Sequence, residues 1–449
     1  MRTDNAGIRA QFGRRVVAAG WAGRPLRAPV HRRIHRLAAG AAVAVVAAAV
    51  AAPAPPAVAA PVAATPVPAV SSGQGQGDPA LRASLQAMVD AGASGAIGLV
   101  DDGTRVSRAA VGAARLDPFL PMRAGDQFRM GSITKSVIAT ITLQLVGEGR
   151  LRLDDSVERW LPGVVPNGSA ITIRMLLQHT SGLFNYTDDP AFWAAVNAEP
   201  FRNWTPQDLL AIAFSHDPLF APGQRWSYSN TGYIVIGLLL EAVTRTPVQT
   251  LVEQRVVRPL HLRNTFFATS ARFRGPYAHG YLPPSLTGDG YVDLSAWSPT
   301  WGWAAGALVS SASDMRRFYQ ALLSGRLLRP RLLDQMMTTV DTGLGPHYGL
   351  GLFTFDTPCG TIWGHDGFLP PYLSFAMTDV TGTRSAVLLM PTFPDPATTA
   401  AFDQALATVV CGMFDLSVPT GAAAPSLVSQ LPELRSTEQP ATALVRPAG

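Results

Sequence analysis

Lys135 is the only lysine among the 449 residues, and it follows Ser132 by three positions in the stretch Phe128-Arg129-Met130-Gly131-Ser132-Ile133-Thr134-Lys135. The other 35 basic side chains are all arginine. A chain so biased uses arginine wherever a fixed positive charge suffices, because guanidinium stays protonated and makes forked contacts. A single lysine therefore marks a task that arginine cannot do. An amine on a flexible stem loses its proton when desolvated and can then act as a base. In a helix, positions i and i+3 share a face, so a helix from 132 to about 147 brings hydroxyl and amine together as a nucleophile and its activating base. Ser132 would sit in the first turn, where unpaired N–H groups and the helix dipole favour an acyl-transfer oxyanion. A serine three residues before a lysine also arises by chance, so its partners must decide the matter.

Two further motifs supply candidates. In Ser227-Tyr228-Ser229-Asn230-Thr231-Gly232, a loop feeding a helix, Tyr228 offers a phenol that can relay a proton and Asn230 an amide that can hold a substrate carbonyl. Read as structure alone, Asn230 or Thr231 is a helix cap. In Trp363-Gly364-His365-Asp366-Gly367-Phe368, a strand edge carries His365, and Gly367 allows close approach of a substrate backbone. A histidine beside tryptophan is also a common core group. Taken together, the three motifs are far more specific than any one of them. They follow one another at 96 and then 137 residues.

The elements that must position these residues follow from periodicity. The apolar spacing predicts a helix over 79–91, a hairpin of strands 96–100 and 105–111, and an all-round apolar, buried helix after Ser132. Helical segments follow at 173–178, 206–214, 232–243 and 248–257. Strands return at 348–355, 361–363, 372–378 and 385–390, before a last helix at 398–410. Strands near both ends with helices between them imply one sheet assembled from the two chain ends beside a mainly helical subdomain.

Composition bounds the class. With 47% hydrophobic and 15% charged residues, 41 Gly and 37 Pro, the chain is globular. Residues 1–59 hold nine Arg against one Asp, which is +8 of the net +5, so the remainder stands at −3 and no basic stripe is left for nucleic acid. That segment reads as an export signal: an Arg-rich start, sixteen small apolar residues at 37–52, and an Ala57-Val58-Ala59 cleavage site. The apolar run is short of the ~20 residues of a membrane span. A Pro/Ala/Gly/Ser linker at 60–78 precedes the folded domain, 79–416, and a low-complexity tail occupies 417–449. Cys359 and Cys411, in an exported chain, either pair or remain buried thiols. Paired, they close a loop worth roughly 4 kcal/mol. Two lone cysteines without a histidine cluster lack metal-ligand spacing.

With these motifs in this order, the chain resembles the serine β-lactamase and penicillin-binding protein superfamily, especially secreted D-alanyl-D-alanine carboxypeptidases of class C-like architecture. The stretches Ile171-Thr172-Ile173-Arg174-Met175-Leu176-Leu177-Gln178-His179-Thr180-Ser181-Gly182-Leu183, Trp303-Ala304-Ala305-Gly306-Ala307-Leu308 and Tyr348-Gly349-Leu350-Gly351-Leu352 carry the resemblance further. It implies an α/β (α+β) fold, β-lactamase/transpeptidase-like, with an antiparallel sheet built from both chain ends, flanking helices and an inserted helical subdomain. It implies Ser132 as nucleophile, Lys135 as its activating partner, Tyr228 as proton relay and His365 where many relatives have Lys. Either Lys135 or Tyr228 is the acylation base. The oxyanion hole would be the backbone N–H of Ser132 and Phe368. Asn230, Asp366, Gly367 and Trp301 would contact substrate, and His179 would fix a loop. The cysteine positions resemble a disulfide of the carboxypeptidase group. Neither cofactor nor metal is implied. The implied partners are a small peptide or ester, such as a peptidoglycan stem peptide, and β-lactams as acylating ligands, with the protein a monomer.

Three departures bear on the leaving group. Asp366 stands where carboxypeptidases place a hydroxyl for the terminal carboxylate, the stretch 351–355 carries no Arg as counter-ion, and Pro371 replaces a usual glycine. Three activities remain open: a D-Ala-D-Ala carboxypeptidase; an esterase, β-lactamase or D-amino-acid amidase; and a sensor that is acylated without turnover.

Overall fold

A computed structural model describes residues 78–419. The expected export segment at 1–59, the linker up to 77 and the tail beyond 419 lie outside the described residues. Asp78, assigned to the linker, caps the first helix by accepting from Ala80 N at 2.9 Å.

In chain order the principal elements are α1 (Pro79–Asp90), β1 (Gly95–Asp101), β2 (Val106–Arg115), β3 (Leu120–Pro121), α2 (Ile133–Gly147), α3 (Ile173–Leu177), α4 (Pro190–Ala198), α5 (Pro206–Ala213), α6 (Asn230–Thr244) and α7 (Ala312–Leu323). Then come β4 (Val340–Asp341), β5 (His347–Tyr348), β6 (Phe353–Thr357), β7 (Gly360–Leu369), β8 (Tyr372–Asp379), β9 (Ser385–Met390) and α8 (Pro396–Met413). The strands form one sheet in the order β3-β2-β1-β9-β8-β7-β6-β5-β4, antiparallel throughout. Its two chain ends meet where β1 pairs with β9, Leu99 opposite Val387. The sheet assembled from both ends, the flanking helices and the helical insertion are as the sequence implies.

Both faces of β1 are buried, which explains its continuous apolar run. Ala96 and Val100 pack with α1 and α8, while Ile97 and Leu99 face α7 in the same core that holds α2. Helix α2 thus runs through the middle of the domain. Ile133 to Leu143 are all buried. Two of its hydroxyls are satisfied locally, Thr140 donating to Ser136 O at 2.7 Å and Thr142 to Ile138 O at 2.8 Å, while Ser136 donates to the distant Gly351 O at 2.7 Å.

Two expectations are corrected. The strand read as 361–363 runs from Gly360 to Leu369, through Gly364, His365, Asp366 and Gly367. These are poor strand formers, and the strand exists because β6 and β8 pair with it on either side. The helix expected over 248–257 is α-helical only at Val248–Val252 and continues as a π-helical turn, Glu253–Val257. Helix α4, not foreseen, is capped by Asp189 with Pro190 at its first position.

Candidate active site

Ser132 sits at the start of α2, and the chain leading into it is clamped. Phe128–Arg129 pairs with Leu308–Ser310, and Thr134 Oγ1 donates to Gly131 O at 2.6 Å while accepting from Leu308 N at 3.0 Å. The buried Arg129 guanidinium donates to Ser295 O at 2.7 Å and Trp297 O at 3.1 Å, tying the segment to a distant loop. Gly131 has φ +49°, and a Cβ there would stand 2.7 Å from Phe368 N. Only glycine lets the backbone before Ser132 come this near the backbone of Phe368, and so brings the two expected oxyanion donors side by side.

Lys135 is wholly buried. Its Nζ contacts Ser132 Oγ, Asn230 Oδ1 at 2.7 Å and Ala305 O at 2.9 Å. The last two oxygens can only accept, so they take two N–H groups. The third position faces a hydroxyl, which can donate or accept. A neutral amine thus fits with its lone pair toward the Ser132 O–H, and an ammonium fits with no rearrangement. This geometry suits a base that must gain and return a proton.

Tyr228 covers the amine, its ring centroid 4.8 Å from Lys135 Nζ. Behind it lies His179, with ring centroids 4.3 Å apart. His179 Nδ1 accepts from Ser229 N at 3.2 Å, and its carbonyl accepts from Ser227 N at 2.9 Å, so it grips the loop on both sides of Tyr228. Burial, with Lys135 and His365 nearby, holds the His179 imidazole well below its usual pKa and neutral. Its structural part is that of a loop-fixing residue.

Asn230, partly exposed, opens α6. His365 and Asp366 are fully buried on β7. His365 Nε2 lies 3.0 Å from Tyr348 Oη, and its Nδ1 lies 2.6 Å from Asp366 O and 3.3 Å from Asp366 Oδ1. Facing two acceptors, Nδ1 carries hydrogen. Asp366, expected to face a leaving group, has no exposed surface, and its carboxylate lies against the imidazole with no hydrogen-bond donor on either oxygen. Trp301 is likewise buried. Its carbonyl accepts from Tyr186 Oη at 2.6 Å, and it shares a small cavity with Arg129, Trp193, Trp297 and Leu369, the residue after Phe368.

A Cβ on Gly367 would lie 2.0 Å from Met130 O and 2.7 Å from Ser374 Oγ, so β7 passes the approach to Ser132 at the closest distance a backbone allows. Gly367→Ala is expected to push Phe368 away and slow acylation by a fluorescent penicillin about 100-fold, the scale of one lost oxyanion donor. Stopped-flow labelling checks this, and an unchanged rate would remove Phe368 from the oxyanion hole.

The structure brings Ser132, Lys135, Tyr228, Asn230, His365, Gly367 and Phe368 into one neighbourhood. Sequence reasoning did not foresee Ala305 O on Lys135, Tyr348 on His365, or Asn185 and Thr187 beside Asn230. The stretches around Ala305 and Tyr348 were visible as motifs, Tyr348 as the start of a strand over 348–355 that the structure splits into His347–Tyr348 and Phe353–Thr357, but a backbone carbonyl leaves no mark in residue type. Cys359 and Cys411 are bonded to each other.

The family model described as Beta-lactamase matches residues 81–409. The chain is 36% identical to a D-stereospecific amidohydrolase from Streptomyces sp., with TM-score 0.67 over 74% of this chain and 98% of that one. Against D-amino acid amidase from Ochrobactrum anthropi SV3 it is 27% identical, with TM-score 0.66 over 74% and 98%. A putative penicillin-binding protein, PbpX, of Bacillus subtilis is 30% identical over 58% of this chain and 62% of its own length. Esterase EstB of Burkholderia gladioli is 29% identical over 64% and 86%. With the family match covering 81–409, well over half of the chain, the chain belongs to the Beta-lactamase family, within the serine hydrolase superfamily of β-lactamases and penicillin-binding proteins.

Proposed function

We propose that the protein is an exported acyl-enzyme amidohydrolase for D-configured substrates whose leaving group carries no carboxylate. Ser132 Oγ attacks the carbonyl carbon while its proton passes to Lys135 Nζ or Tyr228 Oη. The oxyanion that forms is held by the backbone N–H of Ser132 and Phe368. Tyr228 returns the proton to the leaving amine as the C–N bond breaks. Water then attacks the ester, its proton goes to the same base, and Ser132 Oγ leaves with a proton regained. Asn230 holds the amide on the acyl side.

The observation that carries the substrate reading is the missing carboxylate receptor. Position 366, a hydroxyl in carboxypeptidases, is an aspartate buried against His365, and 351–355 offers no arginine. With Asp366 fully buried, this position offers a substrate carboxylate no hydrogen-bond donor. The likeness to the Streptomyces amidohydrolase supports the same reading. A D-Ala-D-Ala carboxypeptidase acting on stem peptides is the second reading, favoured by the Cys359–Cys411 bond at the position resembling that group's disulfide.

The test is kcat/KM for D-phenylalanine amide, its L-enantiomer and N-acyl-D-Ala-D-Ala, alongside fluorescent penicillin labelling. The expected result is labelling of Ser132 and a preference of about tenfold or more for the D-amide over both competitors, the effect of roughly 1.4 kcal/mol. Preference for N-acyl-D-Ala-D-Ala would establish the carboxypeptidase instead. Stable labelling without turnover of any substrate would mark a sensor.

A further inference from the structure

The segment just before α4 turns toward Asn230 and holds it at two points. Asn185 Oδ1 accepts from Asn230 N at 3.0 Å, and Thr187 Oγ1 accepts from Asn230 Nδ2 at 3.1 Å. Asn185 and Thr187 are 5% and 8% exposed, so neither bond competes freely with water. The amide of Asn185 is itself oriented, because its Nδ2 donates to Asp188 Oδ1 at 2.8 Å. The segment is in turn anchored on α6. Thr231 Oγ1 donates to Phe184 O at 2.6 Å and accepts from Tyr186 N at 3.2 Å.

The inventory of Asn230 follows from these bonds. Its Oδ1 accepts a hydrogen bond from Lys135, and one hydrogen of Nδ2 goes to Thr187, which leaves the other hydrogen of Nδ2 for a ligand. The Lys135 donor decides which way the amide faces. Were the side chain flipped, its NH2 would oppose Lys135 Nζ, donor against donor. With that orientation set by the lysine, the Thr187 hydroxyl that accepts from Nδ2 fixes the amide plane and keeps the second N–H toward the cleft.

We propose that Asn185 and Thr187 are positioning residues for substrate amides, holding Asn230 so that its remaining N–H meets the acyl-side carbonyl while its oxygen stays on Lys135. This rests on the acyl-enzyme reading above, but not on amide being the bond cleaved.

Two esters with one leaving group separate the roles: N-acetyl-D-phenylalanine p-nitrophenyl ester, which carries an acyl-side amide, and p-nitrophenyl acetate, which does not. With Thr187→Val, KM for the amide-bearing ester is expected to rise about tenfold, with kcat falling much less, the size of one neutral hydrogen bond. The rise for p-nitrophenyl acetate should be several-fold smaller. Thr187→Ser, which keeps the acceptor, should restore most of the loss. Equal rises for the two esters, no rise at all, or no recovery in Thr187→Ser would each overturn the proposal. A wild-type protein that hydrolyses neither ester would overturn the acyl-enzyme reading and this inference with it. An active wild type with an insensitive variant would overturn this inference alone.

Discussion

Lys135→Arg is expected to lower the rate of Ser132 acylation by at least about 10⁴-fold while keeping the positive charge, because arginine cannot be deprotonated at working pH. In the structure Nζ is wholly buried between Ser132 Oγ, Asn230 Oδ1 and Ala305 O, so the amine touches the reacting hydroxyl directly. A guanidinium is also larger than the space an ammonium fills there. Lys135→Met, close in length and uncharged, separates the two effects, since it loses the base without adding volume. Both variants should fail to label with fluorescent penicillin, and circular dichroism should report the native fold for the methionine variant. Near-normal labelling of either would show that Lys135 is not the activating group and would leave Tyr228 as the base.

Replacing both Cys359 and Cys411 by alanine is expected to cost about 4 kcal/mol of folding stability, read as a lower midpoint in chemical denaturation. The bond joins residues 52 apart, and its main effect is to restrict the unfolded chain. It ties the turn between β6 and β7 to the last turn of α8, and so closes the C-terminal helix onto the strand pair that carries His365. Among the described residues both sulfurs are used in this one bond. Peptide mapping of the protein, prepared without reductant, should find the two cysteines in one linked peptide. A loss below about 1 kcal/mol would mean that the sheet and α8 are held by packing alone.

The contact between Ser132 and Lys135, the proposed nucleophile and base, was legible because its signal is local. One lysine in an arginine-rich chain, three residues after a serine at the head of an apolar run, needs only helical periodicity to become a contact, and the contact is there. The same holds for the first hairpin and the terminal helices, whose apolar spacing reports burial directly. Tyr228, Asn230 and His365 were found by motif and order, which named residue types without their contacts.

Those contacts belong to the tertiary structure. Sequence could not say that His365 would meet Tyr348 or that the Asp366 carboxylate would turn to the imidazole, because β7 is a strand by virtue of its neighbours and not of its own residues. Nor could it show Ala305 O on Lys135 or Thr187 on Asn230, since these partners come from segments 170 and 43 residues away in the chain. What the sequence determined by itself was the pair that can do acyl transfer, because one helical turn suffices to assemble it. Which groups orient that pair was decided only when the sheet closed from both chain ends and brought distant backbone and side-chain acceptors onto one amine and one amide.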